Sequence, residues 1–496
     1  MQVATRAGVV EGFEEHGCGV FLGVPYAAPI TQARRFAAPQ PVEPWSGIRD
    51  ASKLSAVCPQ LPTYGPVGTA AASALEFGTD FLTVNIRTPA LTGSAPVLVW
   101  IHGGGYAVGS ANEAVLQSGA FAASGIVEVT VNYRLGALGF LHFNDGSPDN
   151  RGLLDQIAAL EWVRDNIAAF GGDPSRVTLA GRSAGGFSVA AVMAMPAARG
   201  LFARAMPQSG ASIGIATMED AQKLTRRMVA VLGIEESALH TIPIDQLLTA
   251  QRDLCNESYE RHDFARDGNA AMLGVPFVPV VDGTSLPQHP EDAARDGKTA
   301  AVPMMIGCTS GEYVTHATAQ PDMDFTLAAR LLHERVKPMG LSGACIVERY
   351  RRALPDHSAI GIWRAVAGDL VFQNPATRFA DAQAAFHPVF KYLYGPILTD
   401  ETGAAHGAEV GAVWYRRGMD LSHLRPHQAI VDRSFAEAVH EVWASFIRDD
   451  GPVTPAGNWP THDPATRQVL HMTNGAFHLI DDPFGARPDL WSAPAQ

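Results

Sequence analysis

The segment VTLAGRSAGGFSVAAVMAM, residues 177–195, constrains this chain more than any other stretch. Val177-Thr178-Leu179-Ala180 has strand character, Ser183 follows at once, Ala184, Gly185 and Gly186 are small, and Phe187 to Met195 is compatible with a helix. A strand that stops abruptly, turns on a strained serine and enters a helix is a nucleophile elbow, and its neighbours must be small because the backbone passes so close. Gly-x-Ser-x-Gly occurs a second time, from Gly210 to Gly214 around Ser212. There the next helix starts only near Thr217, where a Thr-x-x-Asp cap precedes it. Ser183 therefore reads as the nucleophile and Ser212 as part of a loop. The alternatives are that Ser183 only marks a tight turn, or that Ser212 acts instead.

A serine attacking an acyl carbon creates a negative oxygen that needs preorganised N–H donors, each worth about 3 kcal/mol of barrier. His102-Gly103-Gly104-Gly105 follows the apolar run Pro96 to Ile101, and consecutive glycines let bare amides point inward. The expected oxyanion hole is the amides of Gly104 and Gly105, with Ala184 as third donor. A flexible turn is the bland alternative.

From about residue 96 to 210, buried strand patterns alternate with longer segments: PVLVWIHGGG, IVEVTVNYR, VTLAG and ARAMPQSG. Between the second and third, Leu153, Leu154, Ile157, Leu160, Val163 and Ile167 recur at helical spacing, and Gly171 can supply a left-handed stop. That segment reads as a crossover helix. Residues 1–25 read as a small antiparallel ribbon, and 217–275 as charged and helical. FVPVVDG and PMMIGCT return to strand character, and SFAEAVHEVWASFIRD reads as the last long helix. No repeat and no Pro/Ser-rich linker divides the chain, so residues 1–496 read as a single domain. The fold class is α/β, with a large, mostly parallel central sheet flanked by helices.

Composition narrows the function. The formal charge of −13 and pI near 5.7 disfavour nucleic acid and anionic lipid surfaces, and no basic block offsets them. No apolar run is long enough to span a membrane, and the N-terminus lacks the pattern of an export signal. Five cysteines, widely spaced and without CxxC, suggest neither a disulfide framework nor a thiolate zinc site. A reducing cytoplasm is the expected location.

Longer runs carry a family likeness. GVPYAAP, PVLVWIHGGGYAVGS, VNYRLGALGFL, NRGLLDQIAALEWVRDNIAAFGGDPSRVTLAGRSAGG, PQSG, PVVDG, GAAHGAEV and WASFIRDDGPVTP…WP resemble the type-B carboxylesterase/cholinesterase family, specifically its bacterial para-nitrobenzyl-esterase-like members, over almost the entire chain. The resemblance implies the α/β-hydrolase fold and a triad in the order Ser, Glu, His. It places the acid at Glu312, in IGCTSGEY, and the base at His406, in GAAHGAEV. Among 17 histidines nothing local singles one out; His440 sits within an amphipathic helix pattern, and Asp282, the competing acid, is explained by an Asp-Gly turn. The resemblance also sets Ser209, in PQSG, behind the triad near the acid, where the bland reading is a satisfied buried hydroxyl.

Two positions depart from the family pattern. The residue before the nucleophile, usually Glu, is Arg182. A guanidinium there disfavours cationic substrates and can favour acidic ones; the alternative is that Arg182 pairs with a nearby carboxylate and never meets substrate. Cys58 matches the first cysteine of the family's disulfide loop, but Phe81 stands where its partner would be. The short segment between them has no Trp, so no aromatic cation box is expected.

These readings imply a metal-independent, cofactor-free carboxylic-ester hydrolase acting on a small-molecule ester, with no nucleic-acid or membrane partner, as a monomer or homodimer. The same site could instead act mainly on a carbamate, an amide or a polyester fragment. A non-catalytic binding module is the reading from another class, and such relatives lose the nucleophile and gain anchors and extracellular disulfides. Segments 60–80, 213–225 and 265–275 are the expected pocket lining.

Overall fold

The strands, in chain order, are β1 (Gln2–Ala4), β2 (Val9–Glu11), β3 (Phe13–Glu15), β4 (Cys18–Pro25), β5 (Ile48–Asp50), β6 (Thr63–Tyr64), β7 (Val67–Gly68), β8 (Thr83–Thr88), β9 (Ala95–Ile101), β10 (Val127–Val131), β11 (Gly172–Arg182), β12 (Arg204–Gln208), β13 (Met304–Thr309), β14 (Val389–Tyr394), β15 (Val469–Thr473) and β16 (Ala476–Ile480). The computed structural model describes residues 1–61, 63–64, 67–68, 76–313, 322–449, 451–485 and 487–491.

Eleven strands form one sheet in the order β16-β15-β14-β13-β12-β11-β9-β10-β8-β4-β3. The centre, from β10 through β9 and β11 to β15, is parallel, whereas β16, β8, β4 and β3 run antiparallel to their neighbours. The N-terminal ribbon divides. β3 and β4 edge the large sheet, while β1, β2 and β5 make a separate three-stranded sheet.

The central strands are apolar on both faces because helices cover both. Alternation along β9 shows it: Val97, Val99 and Ile101 enter one hydrophobic core, Leu98 and Trp100 the other. The helix Arg151–Asn166 closes the first core with Leu153, Ile157, Leu160 and Val163. It continues as a 3₁₀ turn and ends at Gly171, whose φ of 78° is the left-handed stop. The helix Arg433–Arg448 closes the second core with Val439, Val442, Trp443 and Phe446.

Charged 217–275 is helical, with Met218–Leu232 capped by the Thr217 side chain on the Asp220 N–H, and Ile244–Arg261 beyond it. FVPVVDG departs from expectation. Among the described residues it makes one bridge, Val280 to Ala216, because Pro279 within it and Pro276 just before it offer no N–H to a ladder. Cys58 is buried, its sulfur accepting the Leu135 N–H, and Phe81 packs in the first core.

Candidate active site

β11 ends at Arg182, and the helix Ala184–Ala194 begins after a single residue. That residue, Ser183, has φ 61° and ψ −124°, a conformation L residues adopt only when the surroundings impose it. Two hydrogen bonds impose it here. The Ser183 N–H donates to the Gln208 carbonyl at 2.9 Å, and its carbonyl accepts from the Phe187 N–H at 2.8 Å. A Cβ on Gly185 would stand 2.0 Å from the Ile101 carbonyl oxygen, which is why the sequence is small there.

The loop after β9 packs on this turn. A Cβ on Gly103 would lie 3.0 Å from Ser183 Cβ. Gly104 has φ +120°, and a side chain there would meet the Val108 carbonyl oxygen at 1.9 Å, so glycine is required twice over. The amides of Gly104 and Ala184 donate to no described residue and are free for a ligand oxygen. His102 stacks on Tyr133 with ring centroids 4.5 Å apart, its Nδ1 bonded to the Gly103 carbonyl at 2.8 Å. Burial pushes that imidazole down to about 4, which keeps it neutral against the loop.

Glu312 follows β13 and His406 follows β14, neighbouring parallel strands that bring the two residues together across 94 positions of sequence. His406 Nδ1 donates to Glu312 Oε2 at 2.5 Å. Oε1 of the same carboxylate accepts from the Ser209 hydroxyl at 2.7 Å and from the Thr309 N–H at 2.8 Å. The Glu312 side chain is fully buried and that of His406 is 17% exposed. Fixing Nδ1–H on the carboxylate leaves Nε2 as the basic nitrogen. In this structure Ser183 Oγ holds no hydrogen bond to a described residue.

The competing residues are all accounted for structurally. Ser212 donates to the buried Glu291 at 3.1 Å. His440 joins the Val413 carbonyl and the Ser124 hydroxyl, each at 2.8 Å. Asp282 accepts from the Thr284 and Leu286 N–H groups, a turn.

Sequence reasoning missed two neighbours of His406. Phe372 lies on a π-helical turn, Asp369–Gln373, and its ring packs on the His406 imidazole with centroids 4.8 Å apart. Glu409 is fully buried, and neither carboxylate oxygen has a partner among the described residues. Burial and the Glu312 charge push it up to about 7, with the nearby Arg182 charge opposing. Of the expected lining, Ile213, Gly214, Ile215, Asn269 and Met272 border a cavity of about 190 Å³ beside the π-helical turn. Residues 62, 65–66 and 69–75 of the first segment lie outside the described residues.

An elbow at the end of a central strand, a glycine-rich loop against it and a buried Glu–His pair on the next strand ends define a serine hydrolase of the α/β-hydrolase class. The family model described as the carboxylesterase family matches residues 1–491, and the chain belongs to that family. The chain is 36% identical to the para-nitrobenzyl esterase of Bacillus subtilis, the alignment covering 97% of this chain and 96% of that one. It is 33% identical to the phenmedipham hydrolase of Pseudarthrobacter oxydans, covering 98% and 97%. Among solved structures, the Geobacillus stearothermophilus carboxylesterase EST55 superposes with a TM-score of 0.83 at 32% identity, over 99% of this chain and 100% of that one. The activity is that of a serine carboxylesterase, a carboxylic-ester hydrolase working through an acyl-enzyme. No described helix is long and apolar enough to cross a membrane.

Proposed function

We propose that Ser183, His406 and Glu312 are the triad of this carboxylesterase, with Gly104, Gly105 and Ala184 as the oxyanion donors. The observation that carries the assignment is the Glu312 carboxylate, held by Ser209 and Thr309 on one oxygen and by His406 on the other. His406 Nε2 takes the Ser183 hydroxyl proton as Oγ attacks the ester carbon, and the oxygen that becomes negative is met by the three amides. The C–O bond to the alcohol then breaks, and the proton passes from His406 to the departing oxygen. Water enters and attacks the acyl carbon as His406 takes its proton; the bond from that carbon to Oγ then breaks, His406 returns the proton to Ser183 Oγ, and the acid leaves. No metal or cofactor has a step in this sequence. The open Ser183 Oγ is consistent with a bond to His406 that tightens only around substrate.

The enzyme is read as a bacterial, cytoplasmic, single-domain protein over residues 1–496, acting as a monomer or homodimer on small esters without a nucleic-acid partner. The first hydrophobic core, which joins residues from Val3 to Val389, supports the single domain. The similarity to para-nitrobenzyl esterase makes p-nitrobenzyl and p-nitrophenyl esters the first substrates to try. The test is p-nitrophenol release from a short-chain p-nitrophenyl ester without added metal. Ser183→Ala abolishes turnover and Ser212→Ala retains it; activity surviving in Ser183→Ala overturns the assignment.

A further inference from the structure

Arg182, the last residue of β11 and the one before Ser183, carries a half-buried guanidinium. It makes no hydrogen bond and no ion pair with any described residue. A Cβ on Gly103 would stand 3.4 Å from Arg182 Cζ, and one on Gly407 would stand 3.3 Å from it. The group is thus wedged between the start of the oxyanion loop and the residue that follows His406, with a glycine on each wall.

Nearby carboxylates do not satisfy it. Glu113, Glu409 and Glu312 act on Arg182 only at a distance, and Arg425 opposes them. Glu312 is already committed to Ser209, Thr309 and His406. Glu409, with its pKa pushed up to about 7, is a weak counter-charge. The positive side of the balance reaches His427, pushed down to about 4 by burial and by the Arg425, Arg182 and His406 charges. A half-buried guanidinium without a protein acceptor keeps its N–H donors open to a ligand, and a planar fork of this kind matches a carboxylate through two parallel bonds.

The location says which part of the substrate would bear the charge. His406 must hand its proton to the departing oxygen, so the alcohol portion lies on the His406 side of the scissile bond. Gly407 and the Arg182 guanidinium are on that side. We propose that Arg182 is a specificity-determining residue that binds a carboxylate on the alcohol portion of the ester. The substrate class is esters of carboxylate-bearing alcohols. This deepens, and rests on, the assignment of Ser183 as the nucleophile.

The test compares kcat/KM for three butyrate esters: of 4-nitrobenzyl alcohol (neutral), of 4-(hydroxymethyl)benzoate (anionic) and of 4-(trimethylammoniomethyl)benzyl alcohol (cationic). A fourth ester, 4-nitrobenzyl hemiglutarate, carries its carboxylate on the acyl side. Wild type prefers the anionic alcohol over the neutral one by about tenfold or more, the effect of one charge-assisted hydrogen bond, and the cationic ester is the poorest. High salt narrows the preference. Arg182→Gln removes the preference and Arg182→Lys restores part of it. The ratio within each protein is the reading, so a general loss of activity does not imitate the result, and the salt dependence of wild type stands if a variant fails to fold. The proposal is overturned if wild type treats anionic and neutral alcohols alike, if the preference survives in Arg182→Gln, or if it attaches to the acyl carboxylate instead. Turnover of none of the four esters by wild type overturns the Ser183 assignment and this proposal with it.

Discussion

The Ser209 hydroxyl donates to Glu312 Oε1 at 2.7 Å, on the face of the carboxylate turned away from His406. Ser209 has φ 40° and its N–H is tied to the Gly307 carbonyl at 2.8 Å, so the hydroxyl is aimed by the backbone of two adjacent strand ends. In the proposed triad it is a positioning residue for Glu312. Ser209→Ala leaves the Thr309 N–H to hold Oε1 alone. The expected result is a kcat lower by about tenfold with KM unchanged, the share of one hydrogen bond to a charged group. Steady-state kinetics on a p-nitrophenyl ester measure it; a change confined to KM contradicts the role.

Gly104 tests the oxyanion loop without touching a side chain. Gly104→Ala must either clash with the Val108 carbonyl oxygen or leave φ +120°, and both move the amide. A kcat lower by about 10²–10³-fold is expected, the usual effect of losing one oxyanion donor, in a protein whose circular dichroism remains that of wild type.

Glu409 gives a pH signature of stability. Its folded pKa is raised from 4.5 to about 7, so the native state holds a proton that the unfolded chain releases earlier. The stability linked to that proton is present below pH 4.5 and is lost as pH rises towards about 7, then stays constant. Glu409→Gln removes the dependence. Between pH 5 and pH 8, wild type loses up to about 3 kcal/mol relative to the variant, measured by denaturant unfolding at both pH values. An unchanged difference at the two pH values contradicts it.

His440 separates structure from chemistry. Its ring bridges Val413 and Ser124 beside Phe121, and burial lowers its basicity. His440→Ala is expected to lower stability by about 1–3 kcal/mol through the unsatisfied carbonyl and the lost packing, while kcat stays within a few-fold. His406→Ala does the reverse, abolishing turnover with little change in Tm.

The elbow and the glycine loop were legible because their constraint is local: Ser183, Gly185 and Gly104 sit where the backbone turns or approaches another strand, and only small residues satisfy that. The Thr217 cap and the Gly171 stop are local in the same sense. Glu312 and His406 were not legible from chemistry alone, since loops 94 residues apart meet only through the β13–β14 pairing; the family resemblance singled out the two residues, which the structure brings into hydrogen-bond contact. FVPVVDG misled because its apolar residues suggest a strand while Pro279 within it and Pro276 just before it withhold N–H groups a ladder needs. The π-helical turn carrying Phe372 leaves no sequence signal, being a shift of hydrogen-bond register within an ordinary apolar helix pattern. Arg182 could be flagged as a departure, yet whether it was paired depended on residues from four other segments.

The most direct test of the account is to find which serine becomes covalently modified. The protein is treated with a p-nitrophenyl alkylphosphonate, and the adduct is located by intact mass and peptide mapping in wild type, Ser183→Ala and Ser212→Ala. The account predicts one adduct per chain, on Ser183, in wild type and Ser212→Ala, and none in Ser183→Ala. An adduct on Ser212, or one that persists in Ser183→Ala, would contradict it.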